Sequence, residues 1–291
     1  MPPIEVLVAD DWRDYQLLDS GEGMRLERWG AYTLARPDPE ALWRRRLPEA
    51  EWAQADATFQ HGESRERWTK RREMPAQWLL RYRDLSFYAR LTPFKHTGVF
   101  PEQAALWNWM RSRIADAERP ARALTLFGYT GLAALTCASV GAQVTYVDAS
   151  KWAMEWAREN QAASQLDDKP IRWIVDDALK YVKREARRGA QYDALVMDPP
   201  SFGRGPKGEV WKFAEDFPAL LDACVALLSA RPLFVAVTGY AMDVSSLTLA
   251  NLLRDALGER GGRVWASELA LKDKTSERLL STAIAARWES A

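Results

Sequence analysis

The sequence is poor in cysteine and histidine, balanced in charge, and free of long apolar runs. Its two cysteines, Cys137 and Cys224, sit in apolar helical patterns rather than at disulfide or metal-ligand spacing. That excludes a disulfide-stapled fold and fits a reducing, cytoplasmic location. The two histidines, His61 and His96, carry no metal pattern, so no metal is expected. Lys+Arg and Asp+Glu are both 40, which removes the strongly basic signature of a whole-protein nucleic-acid binder and leaves only local basic faces. No apolar run approaches the ~18 residues of a membrane span, and the start MPPIEVLVADDW lacks a basic region followed by an apolar one. A soluble protein without a membrane partner is expected. No internal repeat or low-complexity tract is present, which sets aside a solenoid or a disordered tail. What is plentiful is tryptophan, 14 in all; Trp107, Trp152 and Trp156 lie in helix-like patterns, and half-buried packing accounts for most of the rest.

A chain of 291 residues has room for one large α/β domain and a smaller one. Residues 1–92 read as a small strand-rich domain, with β-like runs at Ile4–Val8, Ala31–Leu34, Trp78–Leu80 and Leu85–Arg90. A helix is expected over Pro39–Arg46, opening on Asp38 and Pro39. From residue 93 onward, β-branched runs alternate with longer periodic ones. The strands are expected at Ala123–Phe127, Gln143–Val147, Ile171–Val175, Ala194–Met197 and Leu233–Val237. Helices follow them at Leu132–Ser139, Lys151–Ala163, Ala178–Arg188, Phe213–Leu228 and Ser245–Leu257. Arg263–Leu269 and Ser281–Trp288 close the chain as an edge pair. The plan is a doubly wound, mostly parallel, seven-stranded α/β sheet of Rossmann-like type.

In such sheets ligands bind beyond the carboxyl ends of the strands. The first strand ends in Phe127-Gly128-Tyr129-Thr130-Gly131, whose glycines permit a tight turn and close backbone approach to a ligand. Gly-x-Gly-x-x-Gly is missing there, which disfavours a nicotinamide dinucleotide. The second strand ends in Asp148, followed by Ala149 and Ser150; its carboxylate could accept two ribose hydroxyls or merely cap the next helix. The third ends in Asp176-Asp177-Ala178, where Asp177 could meet an adenine amine or, again, cap a helix. The fourth ends in Asp198-Pro199-Pro200-Ser201-Phe202, in which two prolines fix the backbone directly after a buried strand.

These segments, together with Asn160 and Thr97-Gly98-Val99-Phe100-Pro101-Glu102-Gln103, resemble the class I S-adenosylmethionine-dependent methyltransferases, and among them the bacterial large-subunit ribosomal-RNA cytosine-5 and guanine-N7 group. Glu102 stands where that group has aspartate. The resemblance implies S-adenosyl-L-methionine as cofactor. It implies that Asp148 meets the ribose, that Asp177 and Ala178 meet the adenine, and that Gly128 and Gly131 lie at the methionine end. Phe100 and Gln103 would form the near edge. Phe127, Tyr129, Thr130, Ala149, Ser150 and Asp198 complete the expected cofactor set.

Cytosine-5 transfer requires a cysteine thiolate, and where such enzymes place it this chain reads Val237-Thr238-Gly239-Tyr240. The reaction expected instead is methyl transfer to a nucleobase nitrogen in ribosomal RNA without a cysteine nucleophile. Asp198 and the Pro199 carbonyl would aim the acceptor, and Phe202 would either stack on it or plug the following loop. Ser201, Arg204, Lys207 and Tyr240 are candidate substrate contacts, and the stretch 203–209 reads as either a substrate lid or a solvated loop. Arg44–Arg46 and Lys70–Arg72, with Trp43 and Trp68 nearby, could meet RNA phosphate and bases, or form solvated faces. The alternatives are a small-molecule or protein-side-chain methyltransferase, and a non-enzymatic cofactor-binding module.

Overall fold

The computed structural model describes residues 4–60, 67–204 and 210–291. The chain forms two compact units: Met1–Leu7, Ala105–Leu269 and Ala283–Ala291 make one, and Val8–Ala104 with Ala270–Thr282 the other. The strand-rich unit therefore runs to Ala104 and recovers a second piece near the C-terminus.

After β1 (Glu5–Val8), the strand-rich unit opens with β2 (Tyr15–Gly21), β3 (Met24–Trp29) and β4 (Tyr32–Pro37), paired antiparallel in succession. The short helix α1 (Glu49–Trp52) leads to β5 (Ala57–Gln60), parallel to β4, and β6 (Arg67–Lys70) pairs antiparallel with β5. A separate hairpin joins β7 (Trp78–Tyr82) and β8 (Leu85–Ala89).

The expected helix over Pro39–Arg46 does not form. Its backbone is drawn into tertiary hydrogen bonds: Trp43 O and Ala41 O accept from Glu22 N and Gly23 N, and Arg46 N and Leu47 N donate to the Asp19 carboxylate. The approach is close enough that a Cβ on Gly21 would lie 2.6 Å from Arg45 N. Inside this unit Glu27 is fully buried, accepting from Tyr15 and Arg36 and lying 3.4 Å from Arg25. Burial opposes its charge, but Arg25 and Arg36 outweigh that and hold its carboxyl at about 2.

In the other unit, α2 (Ala104–Ala115) precedes β9 (Arg122–Leu126), α3 (Leu132–Ser139), β10 (Gln143–Asp148), α4 (Lys151–Ala163), β11 (Ile171–Val175) and α5 (Ala178–Arg187). Then come β12 (Ala194–Met197), the short strands β13 (Phe202–Arg204) and β14 (Val210–Lys212), α6 (Phe213–Val225), β15 (Phe234–Gly239) and α7 (Ser246–Leu257). The last strands are β16 (Arg263–Lys272) and β17 (Leu279–Glu289).

The main sheet has the order β1-β16-β17-β15-β12-β9-β10-β11. Strands β9 to β12 and β15 run parallel, while β17 runs antiparallel to β15. The expected seven strands are present, and β1 adds an eighth at the edge beside β16; its short EVLV run paired outside the strand-rich unit, a choice local pattern does not specify. Because β10 and β11 lie on one side of β9 and β12 and β15 on the other, strand order reverses between β9 and β12. That reversal opens a crevice at the carboxyl edge. The core beneath it includes Leu124, Leu126, Val147, Met197 and Val237 against Tyr181, Phe217, Leu220 and Leu253, all buried. Each such side chain contributes roughly 1.5–3 kcal/mol. Among the described residues no helix is long and apolar enough to cross a membrane.

Candidate functional site

The carboxyl ends of the parallel strands are level. Leu126 lies in register with Val147 and Met197, Asp148 with Val175, and Met197 with Val237. The Phe127–Gly131 loop, Asp148, Asp176–Asp177, Asp198 and Thr238 consequently emerge along one edge of one sheet.

The loop after β9 is held in an unusual backbone. Phe127 (φ 57°), Tyr129 (φ 46°) and Gly131 (φ 84°) are all left-handed, and the first two have side chains that disfavour it. Three groups keep it there: Asp148 Oδ2 accepts from Tyr129 N at 2.9 Å, the Tyr146 hydroxyl donates to Tyr129 O at 2.5 Å, and Asn160 Nδ2 donates to Thr130 O at 2.9 Å. Gly128 is required by contact, since a Cβ there would sit 2.2 Å from the Tyr146 ring. Gly131 is required both by its conformation and by Ala157, whose Cβ would lie 2.7 Å from any Cβ added at that position. Its peptide opens α3, whose first-turn N–H groups have no side-chain cap.

Asp148 is half-buried, and burial raises its carboxyl pKa while the amides of Ser150 and Tyr129 pull it back. Oδ1 accepts from Ser150 N at 2.8 Å and Oδ2 from Tyr129 N. A carboxylate oxygen can accept more than one donor, so this rigid pair suits a vicinal diol. A glycine-lined strained loop beside a fixed carboxylate is the donor set a nucleoside with a short charged tail requires, and S-adenosylmethionine fits it. Ser150 caps α4 by accepting from Ala153 N, and Ala149 beside it is exposed. Asp177 caps α5, its Oδ1 accepting from Lys180 N at 2.8 Å, with Ala178 buried at the first helical position. Asp176 is tied instead to Arg184 at 2.7 Å.

Asp198 follows β12 directly, its N–H donating to Leu126 O at 3.3 Å, which sets the proline turn beside the glycine loop. Its Oδ1 accepts a hydrogen bond from the Thr238 hydroxyl, which is buried at the end of β15. Pro199 is buried, Pro200 and Ser201 are exposed, and Phe202 is 53% exposed. Of the stretch read as a lid, Gly203 and Arg204 lie in β13, which pairs antiparallel with β14, and residues 205–209 lie outside the described residues; Ser201 O accepts from Phe213 N. Arg204 lies in β13; Lys207 lies outside the described residues, as does His61. Tyr240 is half-buried against Leu106, Leu269, Ala283 and Ala285.

Phe100 and Gln103 belong to the strand-rich unit, where Gln103 N donates to Phe100 O, the Phe100 ring lies 5.3 Å from that of His96, and Trp12 Nε1 donates to Pro101 O. The basic triplets of that unit are partly consumed by it. Arg71 and Arg72 both pair with Asp56, Arg45 pairs with Glu49 while lying over Trp52, and Trp43 and Trp68 donate to Ser20 O and Thr92 O. Both cysteines are fully buried, Cys137 in α3 and Cys224 in α6. Burial pushes the Cys137 thiol up to about 12 and raises that of Cys224 as well.

Two residues of this edge have no signature in the sequence. Tyr146 reads as an ordinary strand aromatic, and Trp211 is separated from its partners. Trp211 Nε1 donates to Pro200 O at 2.7 Å, and its ring lies 5.2 Å from that of Phe127.

This parallel sheet with its glycine loop and strand-end carboxylates defines an S-adenosylmethionine-dependent methyltransferase. The chain is 41% identical to the SAM-dependent methyltransferase from Agrobacterium tumefaciens, whose crystal structure superposes with a TM-score of 0.95 over 99% of this chain and 94% of that one. It belongs to that family. A family model described as conserved hypothetical protein 95 matches residues 102–206. Among curated proteins, the ribosomal RNA large subunit methyltransferase K/L of Shewanella sp. (strain ANA-3) is 33% identical over 146 residues, 49% of this chain and 20% of that protein. The ribosomal RNA large subunit methyltransferase K of Neisseria meningitidis serogroup B is 28% identical over 49% of this chain and 40% of that protein. The matches thus span well under half of those relatives' length. SMU.776, solved in complex with SAH, shares the fold at 18% identity, with a TM-score of 0.72 over 96% of this chain and 76% of that one.

Proposed function

We propose that this enzyme methylates a nucleobase nitrogen in ribosomal RNA, without a cysteine nucleophile. The observation that carries the reading is the Asp198-Pro199-Pro200 turn, fixed beside the glycine loop at the strand-order reversal, with an exposed Phe202 next to it and a threonine rather than a thiol facing Asp198. The names of the Shewanella and Neisseria relatives support RNA as the acceptor class.

S-adenosylmethionine, when bound, supplies an electrophilic methyl group on a sulfonium. Asp148 would hold the ribose hydroxyls, with Ala149 and Ser150 alongside; Asp177 and Ala178 would meet the adenine. Phe127 to Gly131 would line the methionine end. Asp198 and the Pro199 carbonyl accept hydrogen bonds from an acceptor amine or ring N–H and so direct a nitrogen lone pair. Phe202 offers a face to a planar base, with Ser201, Arg204, Lys207 and Tyr240 as further contacts. The protein's work is to position the acceptor and exclude water. A small molecule or protein side chain is a second reading, favoured by the internal engagement of Arg71, Arg72 and Arg45.

Transfer of tritium from labelled cofactor into total RNA, protein and small-molecule fractions tests both. Label is expected in RNA, with Asp198→Ala lowering turnover more than cofactor affinity. Label confined to the other fractions overturns the substrate class, and wild-type turnover in Asp198→Ala overturns the acceptor site.

A further inference from the structure

We propose that Trp211 is a positioning residue for methyl transfer, fixing the distance between the cofactor loop and the acceptor turn. The inference rests on the reading of Asp198 to Phe202 as the acceptor site.

Its indole touches both halves of the reaction centre. One contact is to Phe127, ring centroids 5.2 Å apart at 54°. Phe127 is a bulky residue at φ 57°, a strained conformation that persists only where the surroundings over-determine it. The other contact is the 2.7 Å hydrogen bond from Nε1 to Pro200 O. Pro199 and Pro200 have no N–H, so the turn can be anchored only through its carbonyls and flanking residues. An N–H donor brought from another element is what such a turn lacks.

Trp211 is also placed by the hairpin for this work. It pairs with Gly203, on the opposite side of the ribbon from Phe202 and Val210, because strand side chains alternate. The outward pair is half-exposed, Phe202 at 53% and Val210 at 50%. One indole therefore seats the ribbon that presents Phe202, supports the strained residue before Gly128, and holds the carbonyl two residues beyond Asp198. The main core does not depend on it, since Trp211 is only half-buried at the margin of that cluster.

Trp211→Phe keeps a ring beside Phe127 and removes only the donor; Trp211→Ala removes both contacts. Both are compared with wild type and Asp198→Ala by SAH calorimetry, thermal melting and steady-state methyl transfer to the fraction that wild type labels. Trp211→Phe is expected to bind SAH within about threefold of wild type and to melt normally, while kcat falls about tenfold, equivalent to about 1.4 kcal/mol in the barrier at 25 °C. Trp211→Ala is expected to fall further in kcat, with SAH affinity also reduced because Phe127 loses its support. Wild-type kcat in Trp211→Phe overturns the inference, as does a loss of SAH affinity and melting temperature that matches the loss of kcat. If Asp198→Ala is impaired while Trp211→Phe is normal, this inference alone fails. Normal turnover in Asp198→Ala removes the acceptor-site reading and this inference with it.

Discussion

Replacing Gly128 by alanine is the sharpest perturbation of the glycine loop after β9, because its collision partner is known. The new Cβ would lie 2.2 Å from Tyr146 Cε2 and 2.4 Å from Cδ2, whereas ordinary contact begins at 3.4 Å. Something must move by about 1.2 Å, the difference between 3.4 and 2.2 Å. Tyr146 has little room to yield, being fully buried and hydrogen-bonded through its hydroxyl to Tyr129 O. Overpacking of this kind costs about 1–3 kcal/mol, and loss of the hydroxyl bond about 1 kcal/mol more. A total of about 2–4 kcal/mol would lower the melting temperature by on the order of 10 °C for a chain of this size. SAH affinity, measured by calorimetry, should fall by about tenfold or more, since the loop rather than the core absorbs part of the displacement. The cause is isolated by repeating the substitution in a Tyr146→Leu background, where Gly128→Ala should cost less than about 1 kcal/mol because the ring is gone. A Gly128→Ala protein with wild-type melting and SAH binding, or one paying the full cost without the Tyr146 ring, would refute this reasoning.

Burial at Asp148 and at the two cysteines sets further expectations. Burial raises the Asp148 pKa, so as pH rises from the ordinary carboxylate value through the raised one, ionising it costs the folded protein stability. Ligand hydroxyls favour the ionised form, so SAH affinity should weaken as pH falls through that raised value, beginning above the ordinary carboxylate range. Asp148→Asn should bind weakly and without this pH dependence; a flat wild-type profile down to the ordinary carboxylate range would refute the ribose assignment. The double variant Cys137→Ala, Cys224→Ala should retain methyl transfer within about twofold while losing about 1 kcal/mol of stability per site. A well-folded double variant without turnover would restore a thiol mechanism.

The βα alternation after β9 was legible because parallel strands covered on both faces read as apolar, β-branched runs, and glycine or aspartate punctuates their ends. The strand-rich unit was harder to read. Expectation had a helix at Pro39–Arg46 and no strand at Tyr15–Gly21 or Met24–Trp29, because β2 and β3 bury Asp19, Glu27 and Arg25. An ion network replaces the apolar alternation that would announce a half-buried sheet, and the 39–46 backbone is claimed by partners such as Asp19 and Glu22, remote from it in sequence. The same asymmetry runs through the candidate site. Asp148, Asp177 and Asp198 were legible as strand-end punctuation, each lying at or within two residues of a strand's last residue, and position along a strand is a local property. Tyr146 and Trp211 act on Tyr129 and Pro200, 17 and 11 residues away, through contacts that exist only once β9 and β10 pair and β13 and β14 fold back. In this fold the strand-end carboxylates are punctuation, and the groups that fix the backbone beside them are ordinary aromatics. Substitutions at Tyr146 and Trp211 should therefore disturb geometry without altering any residue that the strand-end pattern identifies.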